Sequence, residues 1–152
     1  MLVLKQPTSL EEIEAYYDLR WRILREPWEQ PRGSERDELE TIAYHMAAYD
    51  EQGSLLGIGR LHREDDIESQ IRYMAVEEDT RGKGIGRAIV EGLESIAQAQ
   101  GAKCITLNSR KSAVEFYERL GYRVTGAGPT LFGTIEHSTM AKNMPSIHDR
   151  NS

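Results

Sequence analysis

The chain has 152 residues, of which 39% are hydrophobic and 29% are charged, and its formal net charge at pH 7 is -6. This length and composition predict a single globular domain over residues 1–144 and argue against a disordered chain. The acidic balance argues against nucleic-acid binding, and the lack of a long apolar run or a signal-peptide start predicts a cytoplasmic protein without membrane attachment.

The first predicted helix follows a short extended start. Ser9 and Glu12 form a Ser-x-x-Glu capping box, and apolar residues recur at helical spacing as far as Leu24. The helix is therefore expected to end near Arg25. Residues 26–37 contain two prolines and many charges without periodicity, which predicts a loop or broken helix, a common place for substrate contacts.

Three β-compatible runs come next, at residues 41–49, 54–62 and 67–76. A turn signal at 50–53 and an acidic bend at 64–66 separate them. Strands joined by such short connections pair with their neighbours, so this region predicts an antiparallel meander.

A second helix and a buried strand follow. Apolar residues from Ile85 to Ala97 mark one helical face, and Gly101 is placed to end the helix. Residues 103–107 predict a strand in which Cys104, the only cysteine, behaves as a small hydrophobic residue. A single cysteine and scattered histidines exclude a disulfide framework and predict no metal site.

A third helix is predicted from Ala113 to Leu120, where apolar residues recur at steps of three, four and seven. Ser112 and Glu115 are expected to cap its start, and Gly121 is expected to close it.

The last predicted elements are two strands, 122–125 and 131–143, joined through the turn residues 126–129. The polar end, 145–152, is expected to be disordered. The order of helices and strands is typical of an α+β or mixed α/β layer fold.

The turn before the second helix has glycine at alternate positions, Gly82, Gly84 and Gly86. Glycines there let backbone N–H groups and a helix N-terminus converge on an anion such as a pyrophosphate. Countercharges are available from Arg81, Lys83 and Arg87. A Walker A loop is excluded because Gly84 follows Lys83, and a dinucleotide fingerprint because Arg87 replaces its third glycine. A tight turn without a ligand stays open as an alternative.

Two segments resemble one known family. Residues 81–86, Arg-Gly-Lys-Gly-Ile-Gly, resemble the Arg/Gln-x-x-Gly-x-Gly/Ala coenzyme A loop of the GNAT N-acetyltransferases, and residues 113–122 resemble the family's second signature helix. The two segments occur in the family's order and spacing, and with the flanking elements the resemblance covers nearly the whole chain. It implies a mainly antiparallel sheet of six or seven strands flanked by helices, with a splayed slot between the fourth and fifth strands.

The resemblance also implies an activity. A GNAT enzyme passes an acetyl group from acetyl-coenzyme A (acetyl-CoA), as co-substrate, directly to a primary amine of a small molecule or peptide. No metal is implied, and the protein would be a monomer or homodimer. By the same resemblance, the residues expected to bind the coenzyme are Met74, Ala75, Val76, Arg81, Gly82, Lys83, Gly84, Ile85, Gly86, Arg87, Asn108 and Phe116.

One of these positions carries an alternative, and a neighbouring residue departs from the family pattern. Asn108 could instead cap the next helix. Arg110 departs from the family pattern, which places asparagine three residues before Ala113, and so one expected pantetheine contact is in doubt.

The catalytic residues implied are Tyr117, which would protonate the departing thiolate, and His137, which would take the proton of the amine. Tyr117 could alternatively be a core aromatic residue alongside Phe116, and His137 an exposed histidine at a strand end. Other candidates for the base are carboxylates: Glu40, Glu77 and those of residues 26–38.

By the same resemblance, the acceptor is expected near Arg20, Trp21, Arg25 and Trp28, where guanidinium and indole groups could recognise a carboxylate or an aromatic ring. The arginines could instead be solvated surface residues. Two alternative functions are a non-catalytic acyl-CoA sensor and a transferase that moves a longer acyl group or modifies a protein.

Overall fold

The computed structural model describes residues 1–145. The tail predicted to be disordered, 145–152, lies outside the described residues from 146 onward.

Seven strands and three α-helices form within the described residues. In chain order they are β1 (Val3–Lys5), α1 (Leu10–Leu24), β2 (Tyr44–Tyr49), β3 (Leu55–Arg63), β4 (Glu68–Val76), α2 (Ile85–Ala99), β5 (Cys104–Arg110), α3 (Val114–Arg119), β6 (Arg123–Leu131) and β7 (Ile135–Asn143). The strands make one sheet in the order β1-β2-β3-β4-β5-β7-β6. The pairs β1–β2, β2–β3, β5–β7 and β6–β7 are antiparallel, and β4–β5 is parallel. The predicted mixed, mainly antiparallel fold is therefore confirmed.

The chain groups into two compact units. The first comprises Met1–His62 with Tyr73–Leu93, and the second comprises Arg63–Arg72 with the chain from Glu94 onward. The single domain over residues 1–144 stays a prediction.

Helix α1 begins as its sequence predicts. The Ser9 side chain accepts a hydrogen bond from the Glu12 amide, and the Glu12 side chain accepts one from the Ser9 amide. Lys5 adds an ion pair to Glu12 at 2.7 Å. These contacts lower the pKa of Glu12 to about 2, the hydrogen bond from Lys5 being the largest cause.

Helix α3 begins differently from its prediction. Its N-cap is Ala113, with no hydrogen bond from a side chain. The chain leaves β5 through a 3-10 turn, Lys111–Ala113, and so Ser112 lies one residue too early to cap. The capping box of Ser112 and Glu115 is therefore wrong.

Removal of the Ser9 cap is expected to destabilise the protein. Ser9→Ala leaves the Glu12 amide without its partner, and the free energy of unfolding should fall by about 1 kcal/mol. Urea denaturation measures this change. Ser112→Ala is the matched control, because this serine makes no cap. Equal losses in both variants would contradict this account of the two helix starts.

Close packing in the first unit fixes α2 against β3. A Cβ added to Gly59 would lie 2.8 Å from Ile89 Cγ2 and 3.0 Å from Leu93 Cδ1. Only glycine allows this approach, because heavy atoms at such distances repel strongly. The glycine-rich turn therefore precedes a helix whose first half is held firmly on the sheet.

In the second unit, the final hairpin turns later than predicted. Strand β6 continues through Gly126 and Pro129, with register shifts between Val124 and Gly126 and again between Ala127 and Thr130. Strand β6 ends the sheet order, and an edge strand tolerates proline and irregular pairing. The turn lies instead at Phe132 and Gly133, both with positive φ. The predicted turn at 126–129 is therefore wrong.

The parallel pairing of β4 with β5 is short. It comprises three residue pairs, from Glu68↔Cys104 to Gln70↔Thr106. Strand β5 continues beyond this register to Arg110, paired with β7 along its length. The predicted splay agrees with this short register.

Candidate functional site

A glycine-rich turn precedes helix α2 in the first unit. Gly82 and Gly84 have φ angles of 84° and 82°, in the left-handed region that residues with a Cβ rarely adopt. A Cβ added at either position would meet nothing within 4 Å beyond the chain neighbours. Glycine is therefore required by the backbone conformation, and the space in front of the turn is open.

The turn presents backbone N–H groups to this space. The Ala88 amide donates to the Gly84 carbonyl at 3.1 Å, at the first turn of the helix. The amides of Ile85, Gly86 and Arg87 precede it in the chain. No helical carbonyl lies one turn earlier to accept their hydrogen bonds. Such a helix start favours an anion. The turn and the first residues of the helix carry three exposed cationic side chains: Arg81, Lys83 and Arg87.

Arg81 also links the turn to the end of β4. Its Nε donates to the Val76 carbonyl at 3.3 Å, and its amide donates to the Glu78 carbonyl at 3.4 Å. The turn is thus tied to the strand end whose backbone is predicted to contact pantetheine.

Strand β4 contains a conformational exception at Tyr73. Its φ is 57°, although it lies inside a strand, and a left-handed residue other than glycine costs about 1–2 kcal/mol. Met74, Ala75 and Val76 follow directly. This conformation persists because the packing around the Tyr73 ring compensates for its cost.

Guanidinium groups pack on the Tyr73 ring. The Cζ atoms of Arg20 and Arg60 lie 4.2 Å and 4.8 Å from its centroid, and that of Arg25 lies at 5.7 Å. The Tyr73 hydroxyl donates to Asp37 Oδ2 at 3.4 Å. A desolvated cation–π contact contributes about 2 kcal/mol, which is comparable with the cost of one left-handed residue.

Arg60 is fully buried and paired. Its side chain is 0% exposed, and its Nη1 donates to Asp37 Oδ1 at 2.6 Å and to Glu40 Oε2 at 2.8 Å. Burial disfavours the charged guanidinium, but the hydrogen bond to Asp37 and the nearby carboxylates outweigh it and raise the pKa of Arg60. Arg60 therefore keeps its charge inside the protein.

Arg20, predicted to bind substrate, is also fully buried. Its Nη1 donates to both Glu40 oxygens at 2.9 Å and to the Glu35 carbonyl at 3.1 Å, and its Nη2 donates to the Tyr16 hydroxyl at 2.9 Å. Within residues 1–145, the Nε atoms of Arg20 and Arg60 have no hydrogen-bond partner. The Arg20 side chain thus lies in the interior of the first unit.

Two of the other predicted acceptor residues lie at the end of α1. Trp21 donates its Nε1 hydrogen to the Gln30 carbonyl at 3.0 Å, and Arg32 stacks on its ring at 4.0 Å. Arg25 donates to the carbonyls of Ser34 and Leu24. Both side chains therefore organise the loop after α1.

In the second unit, Tyr117 projects from α3. Its side chain is 8% exposed, and burial raises its pKa to about 12. The rings of Phe116 and Tyr122 pack edge-on against it, with centroids at 4.9 Å and 5.9 Å. The phenol is therefore fixed in place and protonated at neutral pH.

A buried polar group anchors the neighbour of Tyr117. The Tyr122 hydroxyl donates to Glu94 Oε2 at 2.9 Å, and Lys142 Nζ donates to the same oxygen at 3.0 Å. Burial and the Glu94 charge raise the pKa of Tyr122. This contact holds α3 within the second unit.

Asn108 lies inside β5 and is exposed. Its Oδ1 accepts a hydrogen bond from Thr139 Oγ1 at 2.9 Å on β7. It caps no helix, since the next turn begins at Arg110 without a side-chain cap. The capping alternative is therefore wrong, and among residues 1–145 the Asn108 side-chain amide nitrogen donates no hydrogen bond.

His137 is buried near the start of β7, which corrects the alternative of an exposed strand-end histidine. Its Nδ1 lies 3.1 Å from the carbonyl oxygens of Pro129 and Ile135. Carbonyl oxygens only accept, so Nδ1 carries the hydrogen. The neutral ring then has its lone pair on Nε2, the atom that a general base needs.

Two of the carboxylates considered as bases are paired with arginines. Glu77 accepts two hydrogen bonds from Arg22, at 3.1 Å and 3.2 Å. Glu40 pairs with the two buried arginines. Both carboxylates are therefore held in place by arginine side chains.

A family model for the acetyltransferase (GNAT) domain matches residues 27–144, which include the glycine-rich turn and Tyr117. The chain belongs to the GNAT acetyltransferase family. It is accordingly an acyltransferase enzyme, which supports catalysis over a non-catalytic sensor.

Individual acetyltransferases are similar to this chain in sequence or in structure. The uncharacterized N-acetyltransferase YjcF of Bacillus subtilis (strain 168) is 30% identical over 133 residues, which cover 88% of this chain and 94% of YjcF. An aminoglycoside 6'-N-acetyltransferase complexed with coenzyme A has a TM-score of 0.78 at 22% identity, covering 95% of this chain and 98% of that one. A GNAT acetyltransferase from Elizabethkingia anophelis with acetyl-CoA bound has a TM-score of 0.75 at 17% identity, covering 94% and 98%. Both structures share the GNAT fold.

The group formed by Asp37, Arg60 and Tyr73 was not predicted from the sequence. One signal was present, because Ile58, Arg60 and His62 alternate on one face of a strand whose neighbours are buried. A charged residue on an inward face predicts a buried partner.

Residues 1–145 contain no group of three or more His, Cys, Asp or Glu side chains arranged to hold a metal ion. No helix among them has the length and apolar character needed to cross a membrane.

Proposed function

We propose that this GNAT enzyme transfers an acetyl group from acetyl-CoA directly to a primary amine of a small molecule or peptide, without a covalent enzyme intermediate. The observation that carries the proposal is the pair of left-handed glycines, Gly82 and Gly84, at the head of α2. They open the backbone N–H groups to a pyrophosphate, as acetyl-CoA requires. Relatives of the same fold that hold coenzyme A and acetyl-CoA support it.

The coenzyme contacts in the first unit come chiefly from backbone. The amides of residues 82–87 bind the pyrophosphate, and Arg81, Lys83 and Arg87 add countercharge. The backbone of residues 74–76 pairs with the pantetheine arm as an added strand would. Side-chain identity therefore matters little at most of these positions.

In the second unit, Asn108 and Phe116 contact pantetheine in this proposal. The Asn108 amide N–H₂ group donates no hydrogen bond within the part of the chain that the structure describes, and Phe116 is partly exposed beside Tyr117. One donates hydrogen bonds, and the other packs against an apolar chain.

The chemistry follows from three groups. His137 Nε2 takes the proton of the ammonium, and the free amine attacks the thioester carbonyl carbon. The Met74 N–H stabilises the negative charge that develops on the carbonyl oxygen. The C–S bond then breaks, the nitrogen of the new amide loses its second proton to solvent, and the Tyr117 phenol gives its proton to the departing thiolate and recovers one from solvent.

The acceptor region is proposed at the end of α1 and the loop that follows. Trp21 and Arg25 would contact the acceptor there. Arg20 would act on the acceptor region indirectly, through its ion pair with Glu40.

Gly84→Ala should weaken coenzyme A binding about tenfold, a loss of about 1.4 kcal/mol, because a left-handed alanine distorts the amide cradle. Calorimetric titration with coenzyme A measures the Kd. Gly101→Ala is the matched control at the other end of α2, with φ of 91° and nothing within 4 Å of an added Cβ. It should lose similar stability and no affinity. Equal affinity losses would remove the turn from the binding site.

Turnover is then followed as free thiol released from acetyl-CoA across a panel of amines, peptides and a protein lysine substrate. Release with an amine or peptide supports the proposal. Release only with longer acyl-CoA or only with protein selects the corresponding alternative transferase. Binding without release for every acceptor would refute the proposed activity.

A further inference from the structure

Tyr73 differs from the other left-handed residues that are not glycine. Glu29 follows a 3-10 turn, and Phe132 lies in the hairpin turn, places where positive φ is ordinary. Tyr73 lies within β4 and is buried. Its conformation therefore has to be enforced by its surroundings.

The conformation of Tyr73 decides where the next N–H points. A left-handed residue in a strand turns the peptide groups on its two sides away from the regular pleat, as a β-bulge does. The peptide after Tyr73 carries the N–H of Met74. If Tyr73 returned to extended backbone, that N–H would point elsewhere.

The Tyr73 side chain is held by a clamp of three residues, Arg20, Arg60 and Asp37. These residues are themselves immobilised. Arg20 and Arg60 are both 0% exposed, and both donate to Glu40. Asp37 accepts from Arg60 and from the Tyr73 hydroxyl. The ring therefore cannot leave its place without loss of ionic contacts that lie inside the protein.

We propose that Arg20 and Arg60 are positioning residues for acetyl transfer. By holding the Tyr73 ring, they keep its backbone left-handed and aim the Met74 N–H at the oxygen of the thioester carbonyl. This inference rests on the proposed function, which assigns that N–H to the carbonyl.

Tyr73→Leu tests the clamp, because leucine stays apolar but offers no ring face and no hydroxyl. The kcat for thiol release should fall about 100-fold, the typical effect of losing one oxyanion donor. The Kd of coenzyme A should not change, because free coenzyme A has no thioester carbonyl. Tyr73→Phe keeps the ring face and should retain most of the wild-type kcat.

Tyr49→Leu is the matched control for stability. Tyr49 is a buried tyrosine of the same unit, on β2, with Lys5 near its ring. The substitution should lower the melting temperature about as much as Tyr73→Leu and leave kcat intact. A general loss of packing would instead lower kcat in both variants.

The Met74 amide gives a direct readout. In the wild-type protein its ¹H–¹⁵N resonance should differ between the coenzyme A and acetyl-CoA complexes, since only acetyl-CoA presents a carbonyl. In Tyr73→Leu the two complexes should give the same Met74 resonance. A purely structural role for Tyr73 would leave the difference in place.

If Tyr73→Leu does not fold, Arg60→Lys provides a second test of the inference. Lysine keeps the charge but lacks the planar group that stacks on the ring, and kcat should again fall with the Kd of coenzyme A unchanged. Wild-type kcat in either folded variant, or a Met74 difference that survives Tyr73→Leu, would overturn the inference. If the wild-type enzyme neither binds coenzyme A nor releases thiol, the proposed function itself fails, which is a separate result.

Discussion

Tyr117→Phe should lower kcat for acetyl transfer about 100-fold, because a positioned general acid contributes about that much or more. Burial raises the pKa of the phenol to about 12, so it stays protonated at neutral pH and can give its proton to the thiolate. Phenylalanine keeps the packing against Phe116 and Tyr122. The Kd of coenzyme A should therefore stay unchanged. Stopped-flow detection of free thiol, alongside calorimetric titration, measures both quantities.

Tyr122→Phe provides the control for the loss of a buried hydroxyl in the same unit. It leaves Glu94 with one fewer donor and should cost about 1–3 kcal/mol of stability. Its kcat should match the wild type, because the Tyr122 hydroxyl donates to Glu94. If Tyr117→Phe turned over like the wild type, the thiolate would have to take its proton from solvent, and Tyr117 would leave the mechanism.

Arg60→Met should destabilise the protein by about 3–5 kcal/mol, the usual cost of removing one partner of a buried ion pair. Methionine fills much of the volume, but Asp37 loses both of its hydrogen bonds from Arg60 and Glu40 loses one. Asp37 then lies largely buried with fewer donors, while Glu40 keeps its ion pair with Arg20. Urea denaturation followed by circular dichroism measures the free energy of unfolding.

Arg63→Met is the control for this substitution. Arg63 is half exposed, and its ion pair with Asp66 at 3.8 Å lies at the surface, where such pairs contribute about 0–1 kcal/mol. Arg60→Met combined with Asp37→Asn should recover part of the loss, because an amide costs less to bury than an unpaired carboxylate. A loss for Arg60→Met as small as that for Arg63→Met would mean that the network carries no stability.

Local chemistry explains which elements the sequence predicts well. The capping box of Ser9 and Glu12 uses residues three apart in the chain, and α1 begins where they predict. Gly101 ends α2 for a similarly local reason, since its φ of 91° suits a helix C-terminus. Interactions over a few residues can be inferred without knowledge of the fold.

The errors come from non-local pairing. Residues 126–129 have the composition of a turn, yet pairing with β7 keeps them in β6 as far as Leu131. Phe132 then adopts a left-handed conformation that its side chain does not favour. Strand pairing across the hairpin outweighs the local preference of glycine and proline.

The candidate site likewise has one part that could be predicted from the sequence and one part that could not. The glycine-rich turn is visible in sequence because its chemistry is that of the backbone and glycine marks it. The clamp on Tyr73 is not visible, because Asp37, Arg60 and Tyr73 are far apart in the chain and meet only through the fold. Arg20 showed the same difficulty, since a helix arginine gives no local sign of complete burial.

Glu40 accepts hydrogen bonds from two buried arginines, and this sharing has an evolutionary consequence. A single replacement at Arg20, Asp37, Glu40 or Arg60 leaves an unbalanced charge in the interior, so the first mutational step away from the network is penalised. Lineages can abandon it only through several coordinated exchanges. The loop between α1 and β2, although irregular, is thereby constrained to diverge together with strand β3.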